Sequence, residues 1–408
     1  MTSPSFDAEN VSFFFHWLQL MGLDGMWSEE QRRRFLSAPP EMQKFFTATH
    51  NTSKPFSSFL AEKREAFSQG ITAYQRFSRA QDASPPLQEI WRQGPSALQY
   101  FPAETPVSHA AVLFLPALMN KPGIFHFPHG GFCSFLARHG IASYLLDWGA
   151  FCGVSFDAYG TEILFPALRE IRCHFSGSLF LFGYCMGAIA ALGLAQHDKK
   201  ESGLSATASP LAGIVLLSPP WDLRTYPLAT QQSIDAAFCL YENDLIPEVT
   251  EPLLIRLFLN MLQPWAIFEK YARFAHCSDP EAQKHFVQVE DWLNNLYPLS
   301  TSLIRTTVRS WFLENTLATG QWRLLGEVLV PERLEVPTLV VMPLQDRVIP
   351  PASGQVLSQR LRSGKVLYPP VGHIGALVSH QAETLFWKSC LSFLKNVISN
   401  QETTCGTC

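Results

Sequence analysis

The sequence predicts an α/β fold in which a mostly parallel sheet is covered by helices on both faces. From residue 110 onward, short apolar segments of strand type alternate with helical segments, and this alternation is typical of such a sheet. The strands are predicted at 110–115, 143–148, 178–182, 211–218, 338–344 and 365–368. The intervening helices are predicted at 132–138, 158–173, 188–196, 352–361 and 382–397.

Composition and charge narrow the functional class. Of 408 residues 47% are apolar and 16% are charged, which predicts a substantial core, and the net charge of −4 does not point to nucleic acid. Nine irregularly spaced cysteines are typical of a reducing compartment, and no histidine spacing indicates a metal site. No uninterrupted apolar run approaches about 20 residues, so no transmembrane helix is expected. We therefore expect a cytoplasmic protein.

The chain is expected to have a helical N-terminal region, residues 1–105, and a catalytic domain, residues 106–408, with a helical lid inserted at about 222–334. The N-terminal region is expected to pack on the main domain; the alternative is an interaction surface for a partner or a hydrophobic particle. The lid contains an aromatic cluster of Phe258, Trp265, Phe268, Tyr271 and Phe274. We expect this cluster to form lid core, which is compatible with a lid over an acyl channel.

The most informative stretch is 183–187, Gly-Tyr-Cys-Met-Gly, which follows a predicted strand and precedes a run of small apolar residues. A strand, a Gly-x-nucleophile-x-Gly turn and a helix form the nucleophile elbow of the α/β-hydrolase fold. The central residue of an elbow has a strained backbone, and a side chain at Gly183 or Gly187 would crowd the turn. The nucleophile here would be Cys185 instead of the usual serine. The structural alternative is a buried cysteine that packs a β–α corner.

Two further residues complete a catalytic triad in the expected order. In this fold the acid and then the histidine follow the nucleophile along the chain. Asp346 lies just beyond the predicted strand at 338–344, and His373 lies just beyond the last strand. Both positions are at carboxyl ends of strands, where loops converge over the elbow. The sequence therefore predicts Cys185, Asp346 and His373 as catalytic residues.

Other assignments of the acid remain open at this point. Asp147 and Asp222 also lie just past predicted strands, and Asp222 occupies a position that supplies the acid in some relatives of the fold. Asp147 is expected to hold local structure. The structural alternatives for the chosen pair are that Asp346 caps the following helix and that His373 is a turn histidine, and their joint placement argues against both.

The predicted chemistry is acyl transfer through a covalent intermediate. His373 is expected to take a proton from the nucleophile or from an incoming hydroxyl, and Asp346 to fix the tautomer of that imidazole. The oxyanion is expected to accept hydrogen bonds from the N–H of Met186 and from a second donor, Leu118 or Ala117. Thioester exchange onto a cysteine is nearly isoenergetic, so the acyl group stays activated until an alcohol accepts it. The cysteine therefore favours an acyltransferase with thioester donors over a plain esterase.

The motifs resemble those of the poly(3-hydroxyalkanoate) synthases, especially the shorter synthases that work with a second subunit. The likeness covers roughly residues 110–395, and its segments are 115–122 (Leu-Pro-Ala-Leu-Met-Asn-Lys-Pro), 144–149 (Tyr-Leu-Leu-Asp-Trp-Gly), 183–187, 290–294 (Glu-Asp-Trp-Leu-Asn), 346–353 (Asp-Arg-Val-Ile-Pro-Pro-Ala-Ser) and 372–379 (Gly-His-Ile-Gly-Ala-Leu-Val-Ser). The resemblance implies that Cys185, Asp346 and His373 form the triad of an enzyme that polymerises 3-hydroxyacyl-coenzyme A and releases coenzyme A, without a cofactor.

The resemblance also implies partners and a location. The enzyme would act in the cytoplasm at the surface of polyester granules, on a growing polyester chain, together with a second copy of itself or a second synthase subunit. The chain departs from the family at Ala188, where a second glycine is usual, at 150–152, where the family tends to have a proline nearby, and at 295–297 in the lid.

Two other functional hypotheses stay open. An intracellular polyhydroxyalkanoate depolymerase or an acyl thioesterase could use the same triad, and the outcome depends on whether water or an alcohol reaches the acyl-enzyme. A non-catalytic granule or partner-binding protein is the third hypothesis, and the complete triad argues against it.

Overall fold

The computed structural model describes residues 54–78, 87–105, 109–127, 130–150, 155–202, 211–228, 230–231, 234–235 and 266–405. Most of the predicted N-terminal region lies outside the described residues, as do Phe258 and Trp265 of the predicted lid. The chain divides into two compact units. Residues Met1–Ala80 and Tyr226–Val287 form the first, which we call the helical unit, and Gln81–Thr225 and Gln288–Cys408 form the second, the sheet unit.

The sheet unit is built on an eight-stranded sheet with the strand order β1-β2-β4-β3-β5-β6-β9-β10. The strands are β1 (Gln88–Gln93), β2 (Ser96–Phe101), β3 (Ala110–Leu115), β4 (Ala142–Asp147), β5 (Ser178–Tyr184), β6 (Gly213–Leu217), β9 (Thr338–Val341) and β10 (Gly364–Leu367), and a separate hairpin contains β7 (Arg323–Leu324) and β8 (Glu327–Val328). The β1–β2 and β2–β4 pairs are antiparallel, and the other pairs in the sheet are parallel. The predicted mostly parallel α/β sheet is confirmed.

The burial of the central strands explains why they could be predicted from the sequence. Every residue of β3, β6 and β9 is buried, as expected for parallel strands that are covered on both faces. In the register of the sheet, Tyr184 at the end of β5 pairs with Leu217 of β6, which in turn pairs with Val341 of β9. The carboxyl ends of these three strands therefore lie side by side, and the segments that follow them leave the sheet at one edge.

The helices of the described residues follow the predicted segments closely in the sheet unit. They are α1 (Lys54–Arg76), α2 (Phe132–Arg138), α3 (Phe156–Tyr159), α4 (Phe165–His174), α5 (Met186–Ser202), α6 (Ala266–Ala275), α7 (Pro280–Asn294), α8 (Thr301–Val308), α9 (Pro351–Arg360), α10 (Gly375–Val378) and α11 (Lys388–Cys405). A π-helical turn, Gly160–Leu164, joins α3 to α4, so the single helix predicted at 158–173 has three parts. None of these helices is both long enough and apolar enough to cross a membrane.

One part of the helical N-terminal prediction is wrong. Residues 88–101 lie within the region predicted to be helical, but they form the antiparallel strands β1 and β2 at one edge of the sheet. The first of these strands is an edge strand with polar residues and mostly exposed or half-buried side chains, so it lacks the apolar run that identifies a buried strand. The predicted boundary between the two domains stays a prediction.

The helical unit has a closely packed aromatic core between α1 and α6. A Cβ atom at Gly70 would lie 2.2 Å from the carbonyl oxygen of Tyr271, so only glycine permits this approach of the two helices. The ring of Tyr271 meets Phe67 and Phe286 edge-on, with 5.5 Å between ring centroids in each pair, and Phe274 stacks on Phe286 at 4.4 Å. Tyr271 and Phe274, members of the predicted aromatic cluster, are therefore core residues as expected.

Candidate active site

The predicted elbow has the geometry of a strained strand-to-helix turn. Cys185 follows β5 and precedes α5, and its φ angle is 54°, in the left-handed region that non-glycine residues rarely adopt. A Cβ atom at Gly183 would lie 2.4 Å from the Cα of Ala188, and one at Gly187 would lie 2.0 Å from the carbonyl oxygen of Leu115. Both glycines are therefore required by close packing, as the sequence predicted.

The turn places the sulfur where a substrate can reach it. The peptide N–H of Cys185 donates to the carbonyl of Leu217 at 2.9 Å, which ties the turn to the neighbouring strand β6. The Cys185 residue is partly exposed, whereas the cysteines at 133 and 390 are buried. Burial raises the pKa of the Cys133 thiol to about 12, so that thiol is inert at neutral pH. Cys185, in contrast, is a partly exposed cysteine at the carboxyl ends of the parallel strands.

His373 and Asp346 form a hydrogen-bonded pair over this turn. The Nδ1 atom of His373 lies 2.7 Å from Oδ2 of Asp346, whose carboxylate is fully buried. The second carboxylate oxygen accepts hydrogen bonds from the backbone N–H groups of Val348 at 2.9 Å and Ile349 at 2.8 Å. Both oxygens of the carboxylate are therefore engaged, which fixes the orientation of the imidazole ring and leaves its Nε2 atom for another partner.

The electrostatic surroundings of His373 favour its charged form. Burial lowers the pKa of the imidazole, but the charge and hydrogen bond of Asp346 together with the neighbouring thiol of Cys185 raise it to about 10. The imidazole is therefore protonated at neutral pH in the free protein. A protonated imidazole beside a cysteine stabilises the thiolate, which is the nucleophilic form of the sulfur.

Tyr184 is a site residue that sequence analysis did not single out. Its buried ring packs against the His373 ring, with 5.1 Å between centroids and 39° between planes. The only signal in the sequence was its position directly before the nucleophile. Contact with an aromatic face on one side and the Asp346 carboxylate at Nδ1 leaves the His373 ring little freedom to rotate.

The two rival acids are bound elsewhere. Oδ1 of Asp222 accepts hydrogen bonds from the side-chain amide of Asn315 and from the backbone N–H of Arg224, both at 3.0 Å. Oδ1 of Asp147 accepts from the N–H of Gly149 at 3.0 Å, in a local turn. The carboxylate that contacts His373 is therefore Asp346, and Asp147 holds local structure as expected.

Two of the predicted oxyanion donors follow Pro116, whose carbonyl oxygen would lie 2.7 Å from a Cβ atom at Gly187 of the elbow. Ala117 and Leu118 are buried residues of the loop after β3, and their peptide N–H groups donate to no acceptor within the described part of the chain. Met186 is the first residue of α5, where peptide N–H groups have no intrahelical partner. Buried N–H groups without an acceptor are rare and are expected where a ligand supplies the acceptor. The role of these three residues stays a prediction.

The described residues contain no cluster of three or more His, Cys, Asp or Glu side chains that could hold a metal ion.

A family model described as "Alpha/beta hydrolase family" matches residues 112–385, which is most of the chain. The chain belongs to the α/β hydrolase family. The match includes Cys185, Asp346 and His373, and it runs from β3 through the last strand of the sheet.

Two relatives of similar sequence carry the same name. The chain is 24% identical over 355 residues to the poly(3-hydroxyalkanoate) polymerase subunit PhaC of Haloferax mediterranei, which covers 82% of this chain and 70% of the relative. It is 25% identical over 283 residues to the poly(3-hydroxyalkanoate) polymerase subunit PhaC of Allochromatium vinosum, which covers 67% of this chain and 77% of the relative. These similarities confirm the resemblance to poly(3-hydroxyalkanoate) synthases.

Solved structures that match the chain include an esterase from Exiguobacterium antarcticum, which is 15% identical with a TM-score of 0.45 and covers 76% of this chain and 98% of its own. A monoacylglycerol lipase from Paleococcus ferrophilus is 16% identical with a TM-score of 0.46 and covers 74% of this chain and 98% of its own.

Proposed function

We propose that the protein is a poly(3-hydroxyalkanoate) synthase-like acyltransferase that polymerises 3-hydroxyacyl-coenzyme A. One observation carries the proposal: the residue at the elbow is a cysteine, and its thiol lies beside an imidazole that a buried carboxylate holds in place. The named relatives support the substrate class, since both are poly(3-hydroxyalkanoate) polymerase subunits. Cys185 is then the nucleophile, His373 the acid and base, and Asp346 the residue that orients the imidazole.

In the first half-reaction the acyl group moves to the enzyme. The Cys185 thiolate attacks the carbonyl carbon of the thioester, and the carbonyl electron pair moves onto the oxygen to form an oxyanion. The N–H of Met186 and that of Leu118 or Ala117 stabilise this oxyanion. When the intermediate collapses, the bond to the sulfur of coenzyme A breaks, and the leaving thiolate takes the proton of the His373 imidazolium.

In the second half-reaction a hydroxyl accepts the acyl group. After acylation the sulfur is neutral, so its contribution to the raised His373 pKa is lost, and the imidazole, which has given its proton to coenzyme A, stays neutral and can act as a base. His373 takes the proton of a 3-hydroxyl group while the hydroxyl oxygen attacks the acyl carbon. The bond to Cys185 breaks, an ester forms, and the thiolate–imidazolium pair is restored.

The proposed product determines the partners. The acceptor hydroxyl belongs to another 3-hydroxyacyl unit or to the growing polyester chain, so the enzyme would work in the cytoplasm at the surface of polyester granules. The second partner is another copy of the chain or a second synthase subunit. No cofactor takes part, because the triad and the oxyanion donors supply every group that the two half-reactions use.

A hydrolase is the competing outcome, since water could replace the hydroxyl in the second half-reaction and the chain belongs to a family described as hydrolases. The test is to incubate the purified protein with 3-hydroxybutyryl-coenzyme A and to measure released coenzyme A together with the acyl product. Polymer or oligomer supports the synthase, and free 3-hydroxybutyrate in a one-to-one ratio to coenzyme A identifies a hydrolase. A Cys185→Ala variant is the control, and unchanged activity in that variant would contradict both enzymes.

A further inference from the structure

The oxyanion loop, which we define as residues 116–121, is held by hydrogen bonds to its carbonyl groups from outside the loop. The indole N–H of Trp148 donates to the carbonyl of Pro116 at 3.1 Å. The backbone N–H of Tyr297 donates to the carbonyl of Met119 at 2.8 Å, and the indole N–H of Trp292 donates to that of Lys121, also at 2.8 Å. Two of these three donors come from one segment, 292–297, within the predicted lid.

These contacts determine where the N–H groups of the loop point. In a trans peptide the C=O of one residue and the N–H of the next lie in one plane and point in opposite directions, and the described peptide bonds are all trans. The carbonyl of Ala117 accepts a hydrogen bond from the N–H of Asn120 at 2.8 Å. The direction of that carbonyl fixes the direction of the Leu118 N–H, which therefore points out of the turn and has no acceptor among the described residues.

A second peptide plane connects Leu118 to Tyr297. The N–H of Asn120 shares a peptide plane with the carbonyl of Met119, and that carbonyl is the acceptor for the N–H of Tyr297. A hydrogen bond from Tyr297 therefore sets the plane of the Met119–Asn120 peptide, and this plane sets the carbonyl of Ala117. Two hydrogen bonds and two peptide planes lead from Tyr297 to the Leu118 N–H.

The side chain of Tyr297 is anchored independently of its backbone. The ammonium group of Lys121 lies 5.2 Å from the centroid of the Tyr297 ring. Burial and the carboxylate of Asp147 raise the pKa of the Tyr297 hydroxyl, so this hydroxyl stays neutral beside the end of β4. The ring is therefore fixed on both the loop and the sheet.

We propose that Tyr297 is a positioning residue that aims the Leu118 N–H at the oxyanion through the Met119–Asn120 peptide. The proposal extends the proposed function, because it identifies Leu118, and not Ala117, as the second oxyanion donor. Tyr297 is the residue that orients this donor. The proposal rests on that function only in requiring a tetrahedral intermediate at Cys185. It does not depend on whether the acyl acceptor is a hydroxyl group or water.

The test compares two variants that differ in one N–H group. Tyr297→Ala removes the ring but keeps the backbone donor, whereas Tyr297→Pro removes the ring and the donor. A second version of the test keeps the ring: the α-hydroxy acid analogue of tyrosine at position 297 replaces only the N–H by oxygen. Circular dichroism and the thermal midpoint show whether each variant is folded, and the ester variant decides the test if the proline variant is not.

Two reactions of Cys185 are measured in each variant. Alkylation by iodoacetamide needs the thiolate but no oxyanion, whereas an alkyl trifluoromethyl ketone adds to the sulfur and forms an oxyanion like that of the intermediate. We expect the affinity for the ketone and kcat for coenzyme A release to fall about 10- to 100-fold in the proline and ester variants, because an oxyanion donor is misdirected. The alanine variant loses the ring contacts but keeps the N–H, so it should lose clearly less than the ester variant, and alkylation rates should stay within about twofold of the unchanged protein.

Each outcome decides the proposal. A ketone affinity that is unchanged in the ester variant, or an equal loss in the alanine and ester variants, would overturn it, as would absence of ketone binding at Cys185 in the unchanged protein. An equal loss of alkylation and ketone binding would show general damage to the site and overturn it as well. If the unchanged protein hydrolyses 3-hydroxybutyryl-coenzyme A instead of polymerising it, the proposed function falls while a selective loss of ketone binding still supports the positioning role.

Discussion

The two sides of the active site are fixed in different ways. The nucleophile side, Cys185 with His373 and Asp346, depends on local rules, because Cys185 directly follows β5, and Asp346 and His373 lie in the segments that follow β9 and β10. The oxyanion loop is held by residues that are far away in the sequence: Trp148 is 32 positions from its acceptor, and Trp292 is 171 positions from its own. A sequence motif can therefore identify a nucleophile, whereas the groups that stabilise its intermediate depend on contacts between residues that are far apart in the sequence.

The largest effect is expected on the nucleophile side, from Asp346→Asn. An amide in place of the carboxylate can donate to Nδ1 of His373 and favour the wrong tautomer, so kcat/KM should fall about 10³- to 10⁴-fold with little change in the fold. The measurement is steady-state release of coenzyme A from 3-hydroxybutyryl-coenzyme A.

Asp222→Asn is the matched control for that variant, because Asp222 binds Asn315 and the backbone of Arg224 instead of the imidazole. Its activity should stay within about threefold of the unchanged protein. If the losses in the two variants were reversed, the acid would be Asp222 and the assignment of the triad would be wrong.

A Gly187→Ala substitution should damage both sides together, because the added Cβ would lie 2.0 Å from the carbonyl oxygen of Leu115 and 2.7 Å from that of Pro116. Both atoms are backbone and cannot move aside cheaply, so we expect a loss of about 3 kcal/mol or more in the free energy of unfolding, measured by urea denaturation. Gly320→Ala is the control, since that position is open but has a φ of 70° and should cost only about 1 kcal/mol of backbone strain. Equal losses in the two variants would mean that the elbow is not sterically constrained.

A change in pH is expected to have a smaller and gradual effect on the free energy of unfolding. The pKa of His373 is about 10 in the folded protein and 6.5 when unperturbed. Because the folded-state value is the higher one, the stability that the charged imidazole contributes is complete below about pH 6.5 and is lost as pH rises toward 10. The difference in unfolding free energy between the unchanged protein and His373→Gln should therefore shrink over this range. A difference that grows with pH would contradict the charge assignment.

The parts of the molecule that could be predicted from the sequence have a local signature. Central strands such as β3 and β6 are continuous apolar runs, and the elbow is defined by two glycines around Cys185. The strand β1 escaped prediction because its side chains are polar and largely exposed at the edge of the sheet. The segment 292–297, which contains Tyr297, gave no signal of its role, because the contact of Tyr297 with the oxyanion loop is made by a backbone N–H. Such a contact depends on where the chain lies, and hardly on which side chain it carries.

The most direct test of the account is to trap the acyl-enzyme. The protein is mixed with 3-hydroxybutyryl-coenzyme A, the reaction is stopped with acid at short times, and the peptide that contains Cys185 is analysed by mass spectrometry. The account predicts that this peptide gains 3-hydroxybutyryl groups as coenzyme A is released, and that the number of groups on it increases with time. Release of coenzyme A with no acyl group on Cys185, or with the acyl group on a different residue, would contradict it.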